Sequence, residues 1–260
     1  MNAGADPARN LDWIERRCRA LPEGVGLLAL PEVFAVRGPP QALRAAAEWL
    51  PGPMTRRLMA LAASRRIWIL AGSLVERGRG GRLYNTSLLL DRRGRLAARY
   101  RKLHLFEARL DDGRRIRERD TYTPGSRPVL AEIEGWRCGL AICYDLRFPA
   151  LFAGYARQGA DLLFAPSDFT RATGRAHWET LVRARAIETQ AFVVAPNQCG
   201  RHPAGGAASY GHSLVVGPWG SVLARAGDRP RLLTVTLDPG QLRRARARLP
   251  GLRTRSAPHA

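Results

Sequence analysis

The chain has 260 residues, 45% of them hydrophobic and 25% charged, a balance that is ordinary for a soluble globular protein. This length supports a substantial core, and since no linker or repeat divides the sequence we expect a single domain over residues 1–260. The formal net charge of +20 is spread along the whole chain without interleaved aromatic residues, which argues against nucleic-acid binding, and no apolar run is long enough to span a membrane.

The first half of the chain alternates helical and extended patterns. Helical periodicity predicts helices in "NLDWIERRCRAL", with Asn10 as the expected N-cap, and in "TRRLMALAASRR". Short apolar runs predict buried strands in "GLLAL" and "IWILAGSLVE". Two hairpins are expected to follow, one turning at Arg93 and Gly94, the other at Glu134 and Gly135.

The second half continues in the same way. Pro149 is expected to open a helix over "ALFAGYARQGA", and "DLLFAP" and "AFVVAPN" are predicted strands on either side of the helix "HWETLVRARAIETQ". A third hairpin is predicted around residues 217–220, then a strand in "LLTVTLD" and a final helix in "GQLRRARARL". Strands mixed with helices in this order favour a layered α/β fold, with sheets covered by helices.

The cysteines and the N-terminus indicate a reducing compartment. None of the four cysteines forms a CxxC pair, so the sequence contains neither a zinc ribbon nor a thioredoxin-like motif. The opening residues "MNAGADPARNLDW" lack the apolar region of a secretory signal. We therefore expect a cytoplasmic protein.

Lys102 is the only lysine among 42 basic residues of the Lys and Arg types. On a surface either cation serves, but the two differ where a compact ammonium must fit among other groups. Lys102 is therefore a candidate for chemistry, against the simpler interpretation of a solvated strand end. Two other reactive groups also follow apolar strands, Glu32 after "LLALP" and Cys143 after "GLAI". Together they supply a carboxylate base, a cation and a thiol nucleophile.

Three motifs carry a resemblance to a known family. The stretches "LALPEVF", "YRKLHLF" and "GLAICYDLRFPALF" resemble, in order and spacing, the motifs of the nitrilase superfamily of carbon–nitrogen hydrolases. The resemblance covers nearly the whole chain. It implies an α/β fold, a four-layer α-β-β-α sandwich that assembles into homodimers or higher homo-oligomers, and it implies no metal or other cofactor. Family members open with a hydrophobic strand for which this chain has no counterpart, so we expect that first strand to be missing at the N-terminus.

The resemblance also implies roles for residues of this chain. Cys143 would attack an amide carbon and form a thioester, Glu32 would be the general base, and Lys102 would stabilise the oxyanion. The backbone N–H of Tyr144 would be a second oxyanion donor. Glu118, which lies before a Pro-Gly pair, would position the substrate or Lys102.

Within the superfamily, the second half of the chain is most similar to the deaminated-glutathione amidase branch. The stretches that carry this similarity are "TGRAHWETLVRARAIETQAFVVAPNQCGRH" and "SYGHSLVVGPWG". It implies hydrolysis of deaminated glutathione to 2-oxoglutarate and Cys-Gly, with Arg175 and His177 as candidate substrate-binding residues. Arg147 is a further candidate for a substrate carboxylate, but an ion pair with Asp145 is the preferred interpretation of its role.

Three alternatives remain open. In the first alternative, the chain is an ω-amidase acting on 2-oxoglutaramate or another small-amide hydrolase of the superfamily. In the second and more distant alternative, it is an inactive hydrolase fold that binds nucleic acid through its positive charge. A metal site built from Cys199, His202 and His212 is a weaker hypothesis, because their spacing matches no familiar zinc pattern.

Overall fold

Helices and strands alternate along the chain in the computed structural model, which describes residues 1–109, 113, 115–201 and 208–250. The α-helices are α1 (Pro7–Arg19), α2 (Pro40–Ala45), α3 (Pro53–Arg65), α4 (Pro149–Arg157), α5 (Arg171–Thr189) and α6 (Pro239–Arg248). Short 3₁₀ segments cover Arg79–Gly81, Glu118–Asp120 and Cys143–Arg147. No helix in these ranges has the length and apolar character needed to cross a lipid bilayer.

Two sheets form the centre of the fold. The first has the strand order β1-β2-β3-β4, with β1 (Leu27–Ala29), β2 (Trp68–Arg77), β3 (Leu83–Leu90) and β4 (Leu96–Arg101). The second contains β7 (Leu130–Ile133), β8 (Trp136–Leu140), β9 (Leu162–Phe164), β10 (Phe192–Ala195), β13 (Leu214–Val216) and β14 (Val222–Arg225). Its order is β14-β13-β10-β9-β8-β7, with the central pairs β8–β9 and β9–β10 parallel.

Two short ribbons lie outside these sheets. One pairs β5 (Glu107–Arg109) with β6 (Arg115–Arg117), and the other pairs β11 (Cys199–Gly200) with β12 (Ser209–Tyr210). Residues 1–6 form neither helix nor strand, and the carbonyl of Met1 accepts a hydrogen bond from the backbone N–H of Cys199 at 2.9 Å. Within the described ranges β1 is therefore an edge strand of its sheet.

The alternation of side chains along β2 and β3 creates the layers. Leu70 and Leu89 belong to the same buried cluster as β8, β9 and β10, so this face of the first sheet packs on the second sheet. Their neighbours Ile69 and Leu90 point the other way and pack with α1 and α3. Helices α4 and α5 bury Phe152, Trp178 and Val182 in the cluster of the second sheet. This arrangement agrees with the predicted α-β-β-α sandwich.

The N-cap of the first helix differs from the prediction. Helix α1 begins at Pro7, and its N-cap is Asp6, whose carboxylate accepts from the backbone N–H groups of Ala8 and Arg9. Asn10 is buried inside the helix, where its side-chain amide donates to the carbonyls of Gly4 and Ala35. Because Pro is favoured at the first helical position, the "DP" pair was the stronger start signal.

The prediction of a strand in "LLTVTLD" is also wrong. Residues 232–238 form no ladder with any described strand, although their exposure alternates. Leu232 packs against the cluster of α1 and α3, and Leu237 packs against the cluster between the sheets. The period-two pattern therefore reports which side chains are buried and not whether the backbone is paired. The three predicted hairpins are confirmed as β3–β4, β7–β8 and β13–β14.

Candidate active site

The ends of three strands meet at one cavity of about 310 Å³. Glu32 lies three residues beyond β1, Lys102 directly follows β4, and Cys143 lies three residues beyond β8. The cavity is lined by Glu32, Val33, Arg37, Lys102, Phe106, Ile116, Glu118, Cys143, Tyr144, Arg147, Asp168, Phe169, Thr170, Thr173 and Ser209. The structure thus brings Glu32, Lys102, Glu118, Cys143 and Tyr144 together.

Glu32 is held in a fixed orientation by donors on both carboxylate oxygens. It is 3% exposed. Its Oε1 accepts from Asn85 Nδ2 and from Lys102 Nζ, each at 2.9 Å, and its Oε2 accepts from the backbone N–H of Asp168 at 2.9 Å. A buried carboxylate requires such partners because desolvation of a charge is costly.

Lys102 lies between two carboxylates. Its Nζ is 2.9 Å from Oε1 of Glu32, and 3.0 and 2.8 Å from Oε1 and Oε2 of Glu118. Burial acts to lower the pKa of Lys102, but Glu118 and Glu32 outweigh it and raise this pKa well above its usual value. The side chain is 1% exposed and stays protonated. Burial raises the pKa of Glu118, although Lys102 opposes this rise.

The backbone around Cys143 is strained. Its φ of 47° lies in the left-handed region that non-glycine residues rarely adopt and that is often found at functional sites. Burial raises the pKa of the Cys143 thiol well above its usual value, and the negative charge of Glu32 adds to the rise, against the effect of Lys102 and of the Asp168 backbone N–H. The thiol is therefore protonated at neutral pH and requires a base to react.

Cys143 and Tyr144 open the 3₁₀ segment Cys143–Arg147. The first N–H groups of a helical segment have no partner within it, so the Tyr144 N–H is available for a ligand beside the thiol. The Tyr144 ring contacts those of Phe106 and Phe148 at 5.1 and 5.4 Å between centroids. These contacts hold one wall of the cavity.

Sequence reasoning missed an ion pair at the back of the cavity. Arg37 is buried, and its Nε donates to Oδ2 of Asp168 at 2.8 Å, while Ser209 bridges the guanidinium and the carboxylate. Asp168 is the residue whose backbone N–H donates to Glu32. It follows the apolar strand β9, the same signal that identified the other strand-end residues. No comparable signal marks Arg37.

A close approach of two backbone segments fixes the loop that carries Glu32. A Cβ atom at Gly72 would lie 1.8 Å from the carbonyl oxygen of Pro31, so only glycine fits there. The hydroxyl oxygen of the next residue, Ser73, accepts a hydrogen bond from the backbone N–H of Val33 at 3.0 Å. The register of β2 and β3 shifts between Ala71 and Leu74, as in a β-bulge.

The predicted substrate-binding residues of α5 do not line the cavity. Arg175 and His177 are exposed on that helix, although Nδ1 of His177 lies 3.4 Å from both Nη atoms of Arg147. The preferred ion pair between Arg147 and Asp145 is wrong. Asp145 is 0% exposed and accepts from Tyr100, His104 and the Ile142 N–H, whereas Arg147 lines the cavity.

The alternative metal site gains no support. His202 lies outside the described residues. Cys199 is buried and its sulfur contacts the carbonyl of Met1, while Nδ1 of His212 contacts the Tyr210 carbonyl at 2.7 Å. Across the described ranges no group of three or more His, Cys, Asp or Glu side chains is arranged to hold a metal ion.

Comparisons with known proteins agree with this geometry. The sequence profile of the family described as Carbon-nitrogen hydrolase matches residues 1–247. A protein of Synechocystis sp. named Deaminated glutathione amidase is 38% identical over 245 residues, which are 91% of this chain and 88% of that relative. The crystal structure of a Saccharomyces cerevisiae member of branch 10 of the nitrilase superfamily matches with a TM-score of 0.85 and 30% identity, over 96% of this chain and 91% of that chain.

A third comparison concerns a cysteine. The structure of a mutant amidase from Nesterenkonia sp. AN1, with acrylamide added at the active site cysteine, matches with a TM-score of 0.76 and 29% identity, over 96% of this chain and 94% of that chain. The family match extends over most of this chain, and it confirms the resemblance read from the three motifs. The chain therefore belongs to the carbon–nitrogen hydrolase family of the nitrilase superfamily, and it is an enzyme that hydrolyses amides.

Proposed function

We propose that this enzyme hydrolyses the amide bond of deaminated glutathione and releases 2-oxoglutarate and Cys-Gly. One observation carries the chemistry: a single buried ammonium, that of Lys102, contacts the carboxylates of Glu32 and Glu118 in a cavity that also holds the Cys143 thiol. The identity of the substrate is supported by relatives named for that activity, among them the Synechocystis protein and a human protein that is 41% identical over 234 residues.

Cys143 is the nucleophile and Glu32 the general base in this proposal. Since burial and Glu32 raise the pKa of the thiol, a thiolate does not form before the substrate binds. The proton must leave as the sulfur attacks, and Glu32 is the negatively charged group whose proximity adds to the rise in thiol pKa that burial causes. The same proximity lets Glu32 accept the proton.

The reaction then runs in two halves that balance in atoms and protons. Sulfur of Cys143 attacks the amide carbon as Glu32 takes the thiol proton. The tetrahedral intermediate collapses to a thioester while Glu32 returns the proton to the departing amine, Cys-Gly. A water molecule gives a proton to Glu32 and attacks the thioester, and Glu32 then returns a proton to the sulfur as 2-oxoglutarate forms.

Lys102 and the Tyr144 N–H stabilise the oxyanion in both tetrahedral intermediates. An ammonium has three N–H donors, and the hydrogen bonds to Oε1 of Glu32 and Oε1 of Glu118 use two of them. The ammonium also lies 2.8 Å from Oε2 of Glu118, and in this proposal it exchanges that contact for the developing negative charge. A preorganised donor of this type contributes about 10²–10³ in rate. Glu118 acts through Lys102, because its other contact is the backbone N–H of Phe106 at 2.7 Å.

Product release against a small panel of substrates tests this function. We expect hydrolysis of deaminated glutathione with a higher kcat/KM than that of 2-oxoglutaramate, glutamine, a neutral aliphatic amide or a nitrile. Cys143→Ala should abolish hydrolysis without changing the thermal unfolding temperature. Arg157→Ala is the matched control, because Arg157 is exposed at the end of α4 and lies outside the cavity.

Two outcomes would change the proposal. A kcat/KM for 2-oxoglutaramate above that for deaminated glutathione would assign the protein as an ω-amidase. Iodoacetamide labelling gives a separate check on the nucleophile, since inactivation should accompany modification of Cys143. Mass spectrometry that finds the inactivating label only on Cys18 or Cys199 would contradict the assigned role of Cys143.

We also propose that the enzyme forms a homodimer through an apolar patch made by α5 and the turns near α6. The side chains of Ile187, Trp219 and Leu249 are 45%, 51% and 47% exposed. Gly220, the neighbour of Trp219 in the chain, lies against Ile187, because a Cβ atom at Gly220 would be 2.7 Å from that side chain. Exposed apolar side chains that lie near one another are typical of protein interfaces. Sedimentation should detect dimers, and Ile187→Asp should shift them to monomers while Leu96→Asp, at an exposed site on β4, should not.

The proposed location is the cytoplasm. All four cysteines, Cys18, Cys138, Cys143 and Cys199, are free thiols in the fold. A nucleophilic thiol also requires a reducing environment to escape oxidation. Fractionation of cells that express the tagged protein tests this location, and recovery of the protein outside the cytoplasm would contradict it.

A further inference from the structure

Every carboxylate of the cavity lining contacts a cation, but one cation of the lining, Arg147, contacts no carboxylate. The carboxylates of Glu32 and Glu118 contact Lys102, and that of Asp168 contacts Arg37. Arg147 is the remaining cation of the lining, and among the described residues no carboxylate lies within ion-pair distance of it. A partly desolvated guanidinium without an anion is a favourable place for an anionic ligand group.

Contacts with neighbouring side chains orient this guanidinium. It lies over the Phe169 ring at 5.4 Å and over the Tyr144 ring at 5.9 Å from their centroids, and His177 Nδ1 lies 3.4 Å from both of its Nη atoms. None of these groups neutralises its charge. They restrict the side chain in advance, which reduces the entropy that a ligand must overcome on binding.

The position of Arg147 in the chain relates it to the nucleophile. Cys143 and Arg147 are the first and last residues of one short 3₁₀ segment. The thiol and the guanidinium are therefore carried by the same rigid unit, at opposite ends of it. A group that becomes attached to the Cys143 sulfur remains beside this segment through both halves of the reaction, whereas the amine product departs after the first half.

We propose that Arg147 binds the carboxylate at the far end of the acyl group and so selects acyl groups that carry a negative charge. The inference rests on the proposed function for the identity of that acyl group, a 2-oxo dicarboxylic acid. It adds the residue that recognises the acid and the reason why we expect neutral amides to be poor substrates. His177 lies outside the cavity lining, and its role in this proposal is to orient the Arg147 guanidinium.

Binding to the Cys143→Ala protein tests this role without relying on turnover. Two probes, 2-oxoglutarate and 4-oxopentanoate, differ only in the distal carboxylate, which is a methyl group in the second. By calorimetry, 2-oxoglutarate should bind more tightly than 4-oxopentanoate. Adding Arg147→Ala should weaken the binding of 2-oxoglutarate about 10- to 100-fold, the range for a charge-assisted hydrogen-bonded pair. The binding of 4-oxopentanoate should not change. With Arg147→Lys, the affinity for 2-oxoglutarate should lie between those of the parent and the Arg147→Ala protein, because lysine keeps the charge but lacks the two parallel N–H donors of a guanidinium.

The controls separate the possible failures. Arg157→Ala in the same Cys143→Ala background should bind both probes as the parent does. Equal weakening of both probes by Arg147→Ala, unchanged binding of 2-oxoglutarate, or no binding of it to the parent would each overturn the proposal. Loss of binding of Cys-Gly alone would move Arg147 to the amine side of the substrate and also overturn it. If the active enzyme fails to hydrolyse deaminated glutathione but the probes behave as expected, the proposed substrate is wrong and the role of Arg147 stands.

Discussion

Nδ1 of His104 lies 2.7 Å from Oδ1 of Asp145, and the backbone N–H of His104 donates to the same oxygen at 3.0 Å. His104 is two residues beyond Lys102, and Asp145 is two residues beyond Cys143. The contact therefore joins the loop that carries the ammonium to the loop that carries the thiol. Tyr100 OH and the Ile142 N–H satisfy the other oxygen of Asp145, at 2.7 and 2.8 Å.

Asp145→Asn should weaken both the fold and the site. The asparagine amide cannot accept hydrogen bonds at both ends, so one set of buried donors loses its partner. Such a loss costs about 1–3 kcal/mol. We expect denaturant unfolding to report that decrease in the free energy of unfolding, together with a lower kcat, because the distance between Lys102 and Cys143 is no longer fixed.

His104→Phe is the matched variant for this pair. It keeps the stacking on Phe148, where the ring centroids are 3.7 Å apart, and removes only the contact of the ring with Asp145. We expect a smaller loss of stability than in Asp145→Asn, with the effect on turnover still in kcat. A variant at Asp145 as stable and active as the wild type would show that this contact does not organise the site.

Glu32→Gln should remove turnover while retaining the shape of the cavity. Glutamine still accepts from Lys102 or Asn85 through its carbonyl oxygen, but it cannot take the thiol proton. Loss of a general base lowers the rate by about 10²–10⁴. Steady-state kinetics with deaminated glutathione would measure this fall, and near-normal turnover would exclude Glu32 as the base.

The pH dependence of alkylation tests the electrostatic role of the same residue. Because burial and Glu32 raise the pKa of the Cys143 thiol, iodoacetamide should react slowly at neutral pH and faster as the pH rises past the usual thiol value of about 8.5. Glu32→Gln removes the negative charge, so the thiol pKa should fall and the midpoint of the pH dependence of alkylation should move to lower pH. A midpoint that stays or rises in this variant, with the fold intact, would contradict that sign.

The strand-end residues of the site were predictable because an apolar run of strand length is visible in any sequence. Glu32 and Cys143 each follow such a run, whereas Lys102 follows the mixed strand β4 and is marked by being the single lysine of the chain. The first sheet and the second sheet carry these three strand ends to one cavity. Asp168 follows the apolar run of β9 in the same way, so its position at a strand end is also visible in the sequence. Strand β2 was predictable for the same reason, since it is a mostly apolar run and nearly all of its residues are buried.

Contacts between distant segments were not predictable. Arg37 meets Asp168 across 131 residues of sequence, and nothing near "AVRGPP" indicates that partner. Proximity in sequence also predicts a wrong partner for Arg147, the carboxylate of Asp145. In the tight turn after Cys143 the two side chains diverge: Asp145 points into the protein toward His104, and Arg147 lines the cavity.

Lys102→Arg should be nearly as damaging as Lys102→Ala, although it conserves the charge. The ammonium lies within 3.0 Å of both Glu32 and Glu118 and has almost no exposed surface. A planar guanidinium is wider, so it displaces one of these carboxylates or the substrate, and a misplacement of about 1 Å costs roughly 10²-fold in rate. The loss should fall on kcat, because an oxyanion donor acts on the transition state more than on the bound substrate.

A reciprocal exchange on the surface is the control for the lone lysine. Arg157→Lys changes an exposed side chain at the end of α4 and should leave kcat, KM and the thermal unfolding temperature unchanged. Arg92 is less suitable, because its guanidinium forms an ion pair with Glu134 across the surface. Kinetics of the Lys102→Arg, Lys102→Ala and Arg157→Lys proteins, measured side by side, decide the matter. If Lys102→Arg retained most of the activity, any cation would serve at this position, and the single lysine of the chain would not reflect a demand of the site.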